Sequence, residues 1–444
     1  MKKLIALVLS VALMVTLCAC APQAQPSAPQ GEVKTQQSTQ PSEKLDLEKA
    51  QSGATSADTE YSQEFAGQKV VLLTRLSNYD SWDKIPEIVK EKTGIELETV
   101  TATVEYSDYV TQITSSLSAG DSSYDIIDVD ELLGKTFQAA GYLEPINSIA
   151  EQVGDNFLGS WMEGISKGDD GNYYMIPMAF GAIYLYVNDE MFQEKGLSYP
   201  TTLDEMIETG KALTDEANGV YGLGAAWMQG GYLFNDIVRN IYAFDGDFYD
   251  WNNENTKAAV QFMYDQVHTN KITPEAAISE DYSQANQKFA DDKYAMLYMW
   301  NNAYEAIKDD FGTKYKIVPI PTYNSAKTIF NSWGMAINKN SENKDAASEV
   351  MKVLASDEAQ VCLLGCENAA NLNVLASPEA IEVAPYNEAT AEYSKAGVLY
   401  PRPMSPSVNE IQTVMETNVS SYLSGDISLD ECSANVMAGI ADLV

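Results

Sequence analysis

Histidine is almost absent from the chain: His268 is the single one in 444 residues. Histidine nitrogens are common zinc ligands and supply the general base of a Ser-His-Asp triad, so a site of either kind would depend on this one residue. His268 stands in "YDQVHTNK", at the polar end of a predicted helix, where a solvated or capping role is expected. The sequence therefore argues against histidine-based zinc sites and against a conventional serine hydrolase.

Positive charge is scarce as well. The chain has 28 lysines and arginines against 64 aspartates and glutamates, and its formal net charge is −36. Nucleic-acid phosphates and anionic lipid headgroups repel such a chain, so neither is expected as a ligand. The simplest account of the charge is solubility.

The five cysteines fall into two groups. Cys18 and Cys20 lie near the amino terminus, whereas Cys362, Cys366 and Cys432 lie in the body. Cys362 and Cys366 are spaced i and i+4, as on one face of a helix. They could pair as a disulfide, but buried apolar thiols are favoured, and a metal site lacks further ligands. We expect no metal and no cofactor.

One long, predominantly apolar run, from Leu4 to Leu17, follows Lys2 and Lys3. A charged start followed by an apolar segment of this length is typical of a secretory signal. The run is shorter than the roughly 20 residues that a membrane-spanning helix needs. The chain turns polar directly after Cys20.

The end of this run, Leu17-Cys18-Ala19-Cys20, resembles a bacterial lipoprotein signal. The processing peptidase needs a small residue before the modified cysteine, which Ala19 supplies for Cys20, whereas bulky Leu17 precedes Cys18. The resemblance implies a signal peptide over 1–19 and a diacylglycerol thioether on Cys20. Two acyl chains give stable anchoring. The alternative is an ordinary signal peptide cut near Ala19.

Residues 20–66 are rich in Gln, Ser, Pro, Ala and Thr and carry hardly any large apolar side chain. Such a segment cannot bury enough surface to offset the entropy of ordering, so it is predicted to be a disordered tether. Its root-mean-square reach would be on the order of 35 to 40 Å.

The body that follows alternates strand and helix signals. Strands are predicted at 69–76, 95–102 and 124–130, with amphipathic helices between them, one of which starts near Pro86 and stops at Gly94. This alternation is typical of a parallel sheet with right-handed crossovers. The body has about 380 residues, more than one hydrophobic core usually organises, so two lobes are expected.

Later segments add a hairpin-like stretch at 167–177, further strands, two helices and a mostly helical end from Asp345 that is interrupted at 397–406. The predicted strands are 183–188, 293–300, 315–321 and 332–337. The predicted helices are 203–213 and 256–268. No repeat of solenoid length is visible.

Four segments together resemble the extracellular solute-binding proteins of family 1, the carbohydrate receptors of ABC importers. They are "WDKIPEIVKEKTGIELETV", "YDIIDVDELLGKTFQAAGYLEPI", "YYMIPMAFGAIYLYVNDEMFQEKGLSYPTTLDEM" and "KIVPIPTYNSAKTIFNSWGMAINKNSENKDAASEVMKVLAS". The resemblance implies an α/β, two-lobed, periplasmic-binding-protein-like fold with two or three crossing segments and the ligand cleft between the lobes. The implied lobes are 67–178 plus 328–378, and 179–327 plus 379–444.

The function implied by the resemblance is that of a receptor, with no covalent chemistry. The protein would capture a mono- or oligosaccharide by lobe closure and deliver it to ABC permease subunits in the same membrane. It would be a monomer, facing outward and held to the membrane by its lipid anchor alone.

Sugars offer hydroxyls for two-ended hydrogen-bonding groups and C–H faces for aromatic rings. Polar and aromatic side chains of this kind occur in loops that follow the predicted strands, and the chain lacks an aromatic ring at Leu132 and Leu133, where relatives often carry one. The predicted ligand-binding residues are Asn78, Tyr79, Trp82, Asp128, Asp130, Tyr184, Trp227, Trp300, Asn301, Asn302, Trp333 and Arg402.

Structural roles compete with ligand binding at several of these positions. Trp82 could join the first helix to the sheet, and Asp128 could cap a helix. Trp300 and Trp333 could pack in a lobe core.

Two other functions remain open at this point. A glycoside hydrolase could use Asp128 with Asp130 or Glu131. Its two carboxylates must face each other about 5 to 9.5 Å apart, whereas these three residues lie together at the end of one predicted strand and point from one loop. A receptor for another solute, such as a polyamine, agrees with the acidic loops. Anionic cargo would need more buried basic residues than Arg75, Arg402 and Arg239.

Overall fold

A mixed β-sheet forms the centre of the protein in the computed structural model, which describes residues 60–103, 106–153, 161–364, 367–375 and 377–444. Within these residues nine strands run in the order β2-β1-β3-β7-β4-β5, with β6 and β8 paired to β4 and β9 paired to β7. The strands are β1 Lys69–Thr74, β2 Glu96–Thr101, β3 Ile126–Asp130, β4 Ile176–Asn188, β5 Met296–Trp300, β6 Tyr315–Val318, β7 Thr328–Ile337, β8 Asn368–Ala369 and β9 Leu399–Pro401.

Helices pack around this sheet. They are α1 Ile85–Thr93, α2 Tyr106–Ser118, α3 Glu131–Ala140, α4 Asn147–Val153, α5 Trp161–Ser166, α6 Asp189–Lys195, α7 Leu203–Leu213, α8 Tyr232–Ala243, α9 Glu254–His268, α10 Tyr282–Ala290, α11 Ala303–Ile307, α12 Lys344–Leu354, α13 Asp357–Val361, α14 Leu372–Leu375, α15 Pro378–Val383, α16 Tyr386–Ala396, α17 Val408–Leu423 and α18 Leu429–Ile440. Short 3-10 turns lie at Leu76–Asn78, Asp80–Lys84, Glu216–Asn218, Glu275–Ser279 and Lys308–Asp310. Among the helices in the described ranges, none is long and apolar enough to cross a membrane.

The first three strands confirm the predicted parallel arrangement. β1 pairs in parallel with both β2 and β3. Helix α1, between β1 and β2, has Pro86 in its first turn and ends at Gly94, whose φ of 70° is a left-handed conformation that glycine adopts without strain. Ile85, Ile88 and Val89 face the core, as their spacing predicts.

Strand β4 joins two parts of the sheet. Residues 176–182 pair with β7, residues 183–187 pair with β5, and residues 185–188 pair with β6. Every residue of β4 is buried, so the strand shows no alternation of polar and apolar side chains. The predicted strand at 183–188 is therefore the second half of a longer element.

The last part of the predicted tether is ordered. Tyr61 and Phe65 pack against the core, and the Ser62 amide donates to Glu349 at 3.0 Å. The prediction of disorder is thus wrong for residues 60–66. The predicted signal peptide, Cys20 and the rest of the tether lie outside the described residues.

Cys362 differs from the buried thiol that was expected at its position. Cys432 is buried, but Cys362 is partly exposed and stands at the end of α13, not within a helix face. Cys366 lies outside the described residues, so its pairing stays a prediction.

Candidate functional site

A cavity of about 480 Å³ opens where the carboxyl ends of β1 and β3 meet the crossing strands β4 and β7. The carboxyl ends of parallel strands are a common place for ligands in α/β sheets. Its lining comes from these strand ends, from the start of α2, from the 230–235 turn, from α10, from the end of β5 and from the segment after β9. The cavity is therefore assembled from segments far apart in the sequence.

Arg402 crosses one side of the cavity. Its Nε donates to Glu131 Oε1 at 2.8 Å, one terminal nitrogen donates to Asp130 Oδ2 at 3.2 Å, and the other donates to Asn235 Oδ1 at 3.3 Å. The neighbouring carboxylates raise the pKa of Arg402 although burial opposes its charge, and burial raises the pKa of Glu131. Arg402 thus holds two buried carboxylates together with an amide from α8.

Asp130 owes its position to the local structure at the end of β3. Its Oδ1 caps α3 by accepting from the Leu133 amide at 2.8 Å, and its Oδ2 accepts from the Tyr106 hydroxyl at 2.7 Å. Leu132 and Leu133 are fully buried in the core. The cap fixes the carboxylate at the edge of the cavity.

Arg75 forms a second charged group, with Trp333 beneath it. The guanidinium carbon lies 3.8 Å from the centroid of the Trp333 ring, and a terminal nitrogen lies 2.5 Å from Glu367 Oε1. Nε lies 3.8 Å from Asp128 Oδ2. Tyr109 packs against the same indole, with ring centroids 6.0 Å apart. An aromatic ring and a paired cation thus share one wall.

The carboxyl of Asp128 lies below this wall and is fully buried. Its Oδ2 accepts from the Thr74 hydroxyl at 2.9 Å and from the Arg75 amide at 3.2 Å, while Oδ1 has no hydrogen-bond partner among the described residues. Burial raises the pKa of Asp128 to about 6, although Arg75 and Thr74 act in the opposite direction.

The raised pKa of Asp128 predicts that the folding stability of the protein depends on pH. The folded protein holds a proton on Asp128 at pH values where the unfolded chain, with a pKa of 3.8, has lost it, so folding stability falls as the pH rises from about 4 to about 6. Asp128→Asn removes this dependence. The unfolding free energy of the variant relative to the wild type should therefore rise by about 2 kcal/mol between pH 4 and pH 7.

Urea unfolding at pH 4, 5, 6 and 7 measures the difference. Asp83→Asn, at an exposed aspartate of the same part of the chain, is the matched control. If Asp128→Asn and the wild type keep a constant difference over this range, the burial argument for Asp128 is wrong.

The opposite wall comes from α8 and α10. Asn235 Nδ2 donates to the Tyr282 hydroxyl at 2.9 Å, and the rings of Tyr232 and Tyr282 meet edge to face at 4.7 Å. The turn before α8 is held by Glu416, which accepts from the amides of Gly230, Gly231 and Phe234. This wall therefore offers two phenol rings and an amide held in fixed positions.

The floor of the cavity requires a glycine. The Gly181 amide in β4 donates to Asn331 Oδ1 in β7 at 2.8 Å. A Cβ at this position would lie 2.7 Å from that oxygen and 2.8 Å from Asn301 Oδ1. Gly181 therefore lets two amide side chains approach the backbone at the bottom of the cavity.

The structure brings together part of the predicted set. The predicted residues that line the cavity are Tyr79, Asp130, Trp300, Asn301, Asn302, Trp333 and Arg402. Trp300 is 7% exposed and Trp333 8%, so both are largely covered while still facing the cavity. Their role in binding stays a prediction.

The remaining five predicted residues do not line the cavity. Asn78 donates to the backbone of Arg75 and Ala102, and Trp82 donates to Thr99 as it packs between α1 and the sheet. Asp128 is covered by Arg75, as described above. Tyr184 and Trp227 are buried and bond to Thr390 and Asp236. These side chains pack and bond within the protein and do not face the cavity.

Sequence reasoning missed several lining residues. They are Arg75, Tyr106, Tyr109, Gly181, Tyr232, Asn235, Tyr282, Asn286, Asn331 and Glu367, although Arg75 was noted as a basic residue near the cleft. Tyr106 and Tyr109 stand one helical turn apart at the start of α2, which is a usable signal. Nothing local marks Asn286 or Glu367.

Comparison with known sequences adds independent information. A family model described as bacterial extracellular solute-binding protein matches residues 80–361. An arabinooligosaccharide-binding protein of Halalkalibacterium halodurans is 24% identical over 61% of this chain, and the match spans 60% of that protein. A probable amino-acid ABC transporter periplasmic-binding protein of Sinorhizobium fredii is 23% identical over 76% of this chain and 79% of its own length.

Solved structures show the same fold. Maltose-bound MalE3 of T. maritima is similar with a TM-score of 0.76 and 21% identity, covering 85% of this chain and all of that one. An ABC substrate-binding protein from Listeria monocytogenes in complex with cycloalternan has a TM-score of 0.73 and 18% identity, covering 85% of this chain and 98% of its own. The expected α/β, two-lobed, periplasmic-binding-protein-like fold is thereby confirmed.

Proposed function

The chain belongs to the family of bacterial extracellular solute-binding proteins, and from that premise we propose that it captures a sugar, either a monosaccharide or an oligosaccharide, in the cavity between β4, β7 and the strand ends. The cavity volume of about 480 Å³ falls within the range of roughly 300–1,000 Å³ that is usual for small-molecule sites. The proposed role is capture and delivery, without covalent chemistry.

The observation that carries this proposal is the combination of rings and two-ended polar groups on the cavity walls. Trp300 and Trp333 can cover the C–H faces of a sugar ring, and the phenols of Tyr106 and Tyr282 add further aromatic surface. Asn301, Asn302 and Asn331 can each donate and accept at one site, as a hydroxyl requires. Three amide side chains on the lining favour a ligand that carries hydroxyls over a purely apolar one, because burying polar groups against an apolar ligand costs binding energy.

The hydrolase alternative has less support. Two opposed carboxylates are needed, yet Asp128 does not line the cavity and Asp130 is held by Arg402, Tyr106 and the Leu133 amide. Glu131 is paired to the same arginine.

We further propose that the two lobes close on the sugar, with bounds of 67–178 plus 328–378 and 179–327 plus 379–444. The division of β4 supports this, because its first half pairs with β7 and its second half with β5 and β6. Closure would let each lobe supply part of the contacts and exclude water.

Cys20 is proposed to carry the lipid anchor, and an ABC permease in the same membrane to receive the sugar. The Leu17-Cys18-Ala19-Cys20 sequence, the polar tether and family membership support this arrangement. A monomeric protein on the outer side of the membrane agrees with this arrangement.

Isothermal titration of the mature protein against a solute panel tests the sugar proposal. The panel contains arabinose oligosaccharides, maltose, ribitol, the common amino acids and spermidine. At least one sugar or sugar alcohol should give saturable binding, and at 100 times its Kd it should raise the unfolding free energy by about 2.7 kcal/mol. If an amino acid or spermidine binds saturably and no sugar does, the proposal is wrong.

A further inference from the structure

Both arginines of the cavity face two carboxyl groups each. Arg75 lies beside Glu367 at 2.5 Å and Asp128 at 3.8 Å. Arg402 lies beside Glu131 at 2.8 Å and Asp130 at 3.2 Å. With its two carboxyl groups ionised, neither arginine brings net positive charge to the cavity.

Further carboxylates lie on the same surface. Among the described residues that line the cavity, two are arginines, four are acidic and none is a lysine. Asp281 and Glu305 are the acidic residues outside the two arginine groups. Glu305 pairs with Lys308 at 3.2 Å, but both side chains are about half exposed, so this pair offsets little of the charge. Asp281 caps α10 through the Gln284 amide.

We infer that the cavity selects sugars that are uncharged or carry an amino group, and rejects sugars that carry an acidic group such as a uronate. This inference rests on the proposed sugar-binding function and names the charge class of the ligand. A sugar carboxylate would meet like charge in a partly enclosed site, where water screens it poorly. An ammonium group would gain from the same field.

An acidic sugar has no low-cost route to an ion pair in this cavity. To pair with the terminal nitrogen of Arg75 that faces Glu367 it would have to displace that carboxylate, and to form a two-ended pair with Arg402 it would have to displace Asp130 or Glu131. Each displacement leaves a largely buried carboxylate without its cation, which is costly. Arg75 Nε and one terminal nitrogen have no hydrogen-bond partner among the described residues, but both atoms are buried, so they are not open to a sugar carboxylate. A neutral hydroxyl needs no cation and can pair with the amide side chains of the lining.

Matched sugars test the inference. The probes are D-glucose, D-glucosamine and D-glucuronate, the corresponding galactose series, and the 1,4-linked disaccharides of each, titrated calorimetrically at pH 7 and low salt. In each series that binds, the uronate should bind at least about tenfold more weakly than the neutral sugar, and the amino sugar should bind no more weakly. A uronate that binds as tightly as its neutral counterpart overturns the inference and leaves the proposed function standing. If no series binds and none of the panel sugars does, both fail.

Variants identify the source of the discrimination. Glu367→Gln keeps the shape of the side chain and leaves Arg75 with one carboxylate fewer, so the ratio of neutral to uronate affinity should fall by about tenfold. Glu305 is exposed, so Glu305→Gln should leave folding intact. It should lower the ratio of neutral to uronate affinity by about two- to threefold. Glu194→Gln on α6, an exposed glutamate that does not line the cavity, is the control. An unchanged ratio in both Glu367→Gln and Glu305→Gln overturns the inference.

Discussion

Replacement of Arg402 by methionine is expected to lower the unfolding free energy by about 3 to 5 kcal/mol at pH 7. Methionine fills a similar length of space but removes the cation that Asp130 and Glu131 share. Two carboxyl groups, exposed by 1% and 2%, would then remain in the protein interior without an opposite charge. The loss should be visible in urea unfolding followed by tryptophan fluorescence.

The pH dependence separates this cause from a simple packing defect. Without Arg402 burial favours the protonated form of the Glu131 carboxyl group even more, so the variant should recover stability as the pH is lowered and lose it again as the pH rises. The triple variant Arg402→Met, Asp130→Asn, Glu131→Gln removes the buried charges together and should regain most of the loss. A loss below 1 kcal/mol in the single variant would contradict the account.

Replacement of Trp333 by alanine is expected to have the second large effect. The indole packs against Tyr106, Tyr109 and the Arg75 guanidinium, and its removal leaves a void that should cost about 3 to 5 kcal/mol of unfolding free energy. Because the ring also lines the cavity, sugar affinity should fall by about a hundredfold, a loss of about 2.7 kcal/mol. Calorimetry and urea unfolding measure the two losses separately.

A matched variant distinguishes contact with the sugar from general destabilisation. Trp251 is also buried, donates to the Phe248 carbonyl and does not line the cavity. Trp251→Ala should therefore lose similar stability while it keeps its sugar affinity, and Trp333→Phe should keep part of both. Sugar affinity in Trp333→Ala equal to that of the wild type would remove Trp333 from the proposed site.

Local patterns predict the elements well where a helix or strand carries its own signals. Pro86 and Gly94 mark the ends of α1, and the parallel order of β1, β2 and β3 follows from the strand and helix alternation. The start of β4 has no such signal, because its residues are buried on both faces and read as a continuous apolar run.

The candidate site is less predictable because tertiary contacts decide which polar or aromatic side chain is free to face the cavity. Asp130 and Trp227 illustrate the difference. Asp130 follows a strand end, and that position brings it to the cavity. Trp227 has equally suggestive neighbours, yet it is buried beside Asp236, and no local feature separates it from Trp300. The pairing of Arg402 with Asp130 joins residues 272 positions apart, beyond the reach of any spacing argument.

The bond between Gly181 and Asn331 ties β4 to β7 directly under the cavity. If the two lobes rotate about these strands, atoms beside the axis travel least and those far from it travel most. The floor would then offer nearly the same contacts before and after rotation, while Asp281 and Glu305 would approach the sugar late. Recognition at the floor would govern which sugar is admitted, and the late contacts would govern how long it stays. Substitutions near Gly181 should accordingly alter the choice of sugar, and substitutions at the distant wall should alter the dissociation rate.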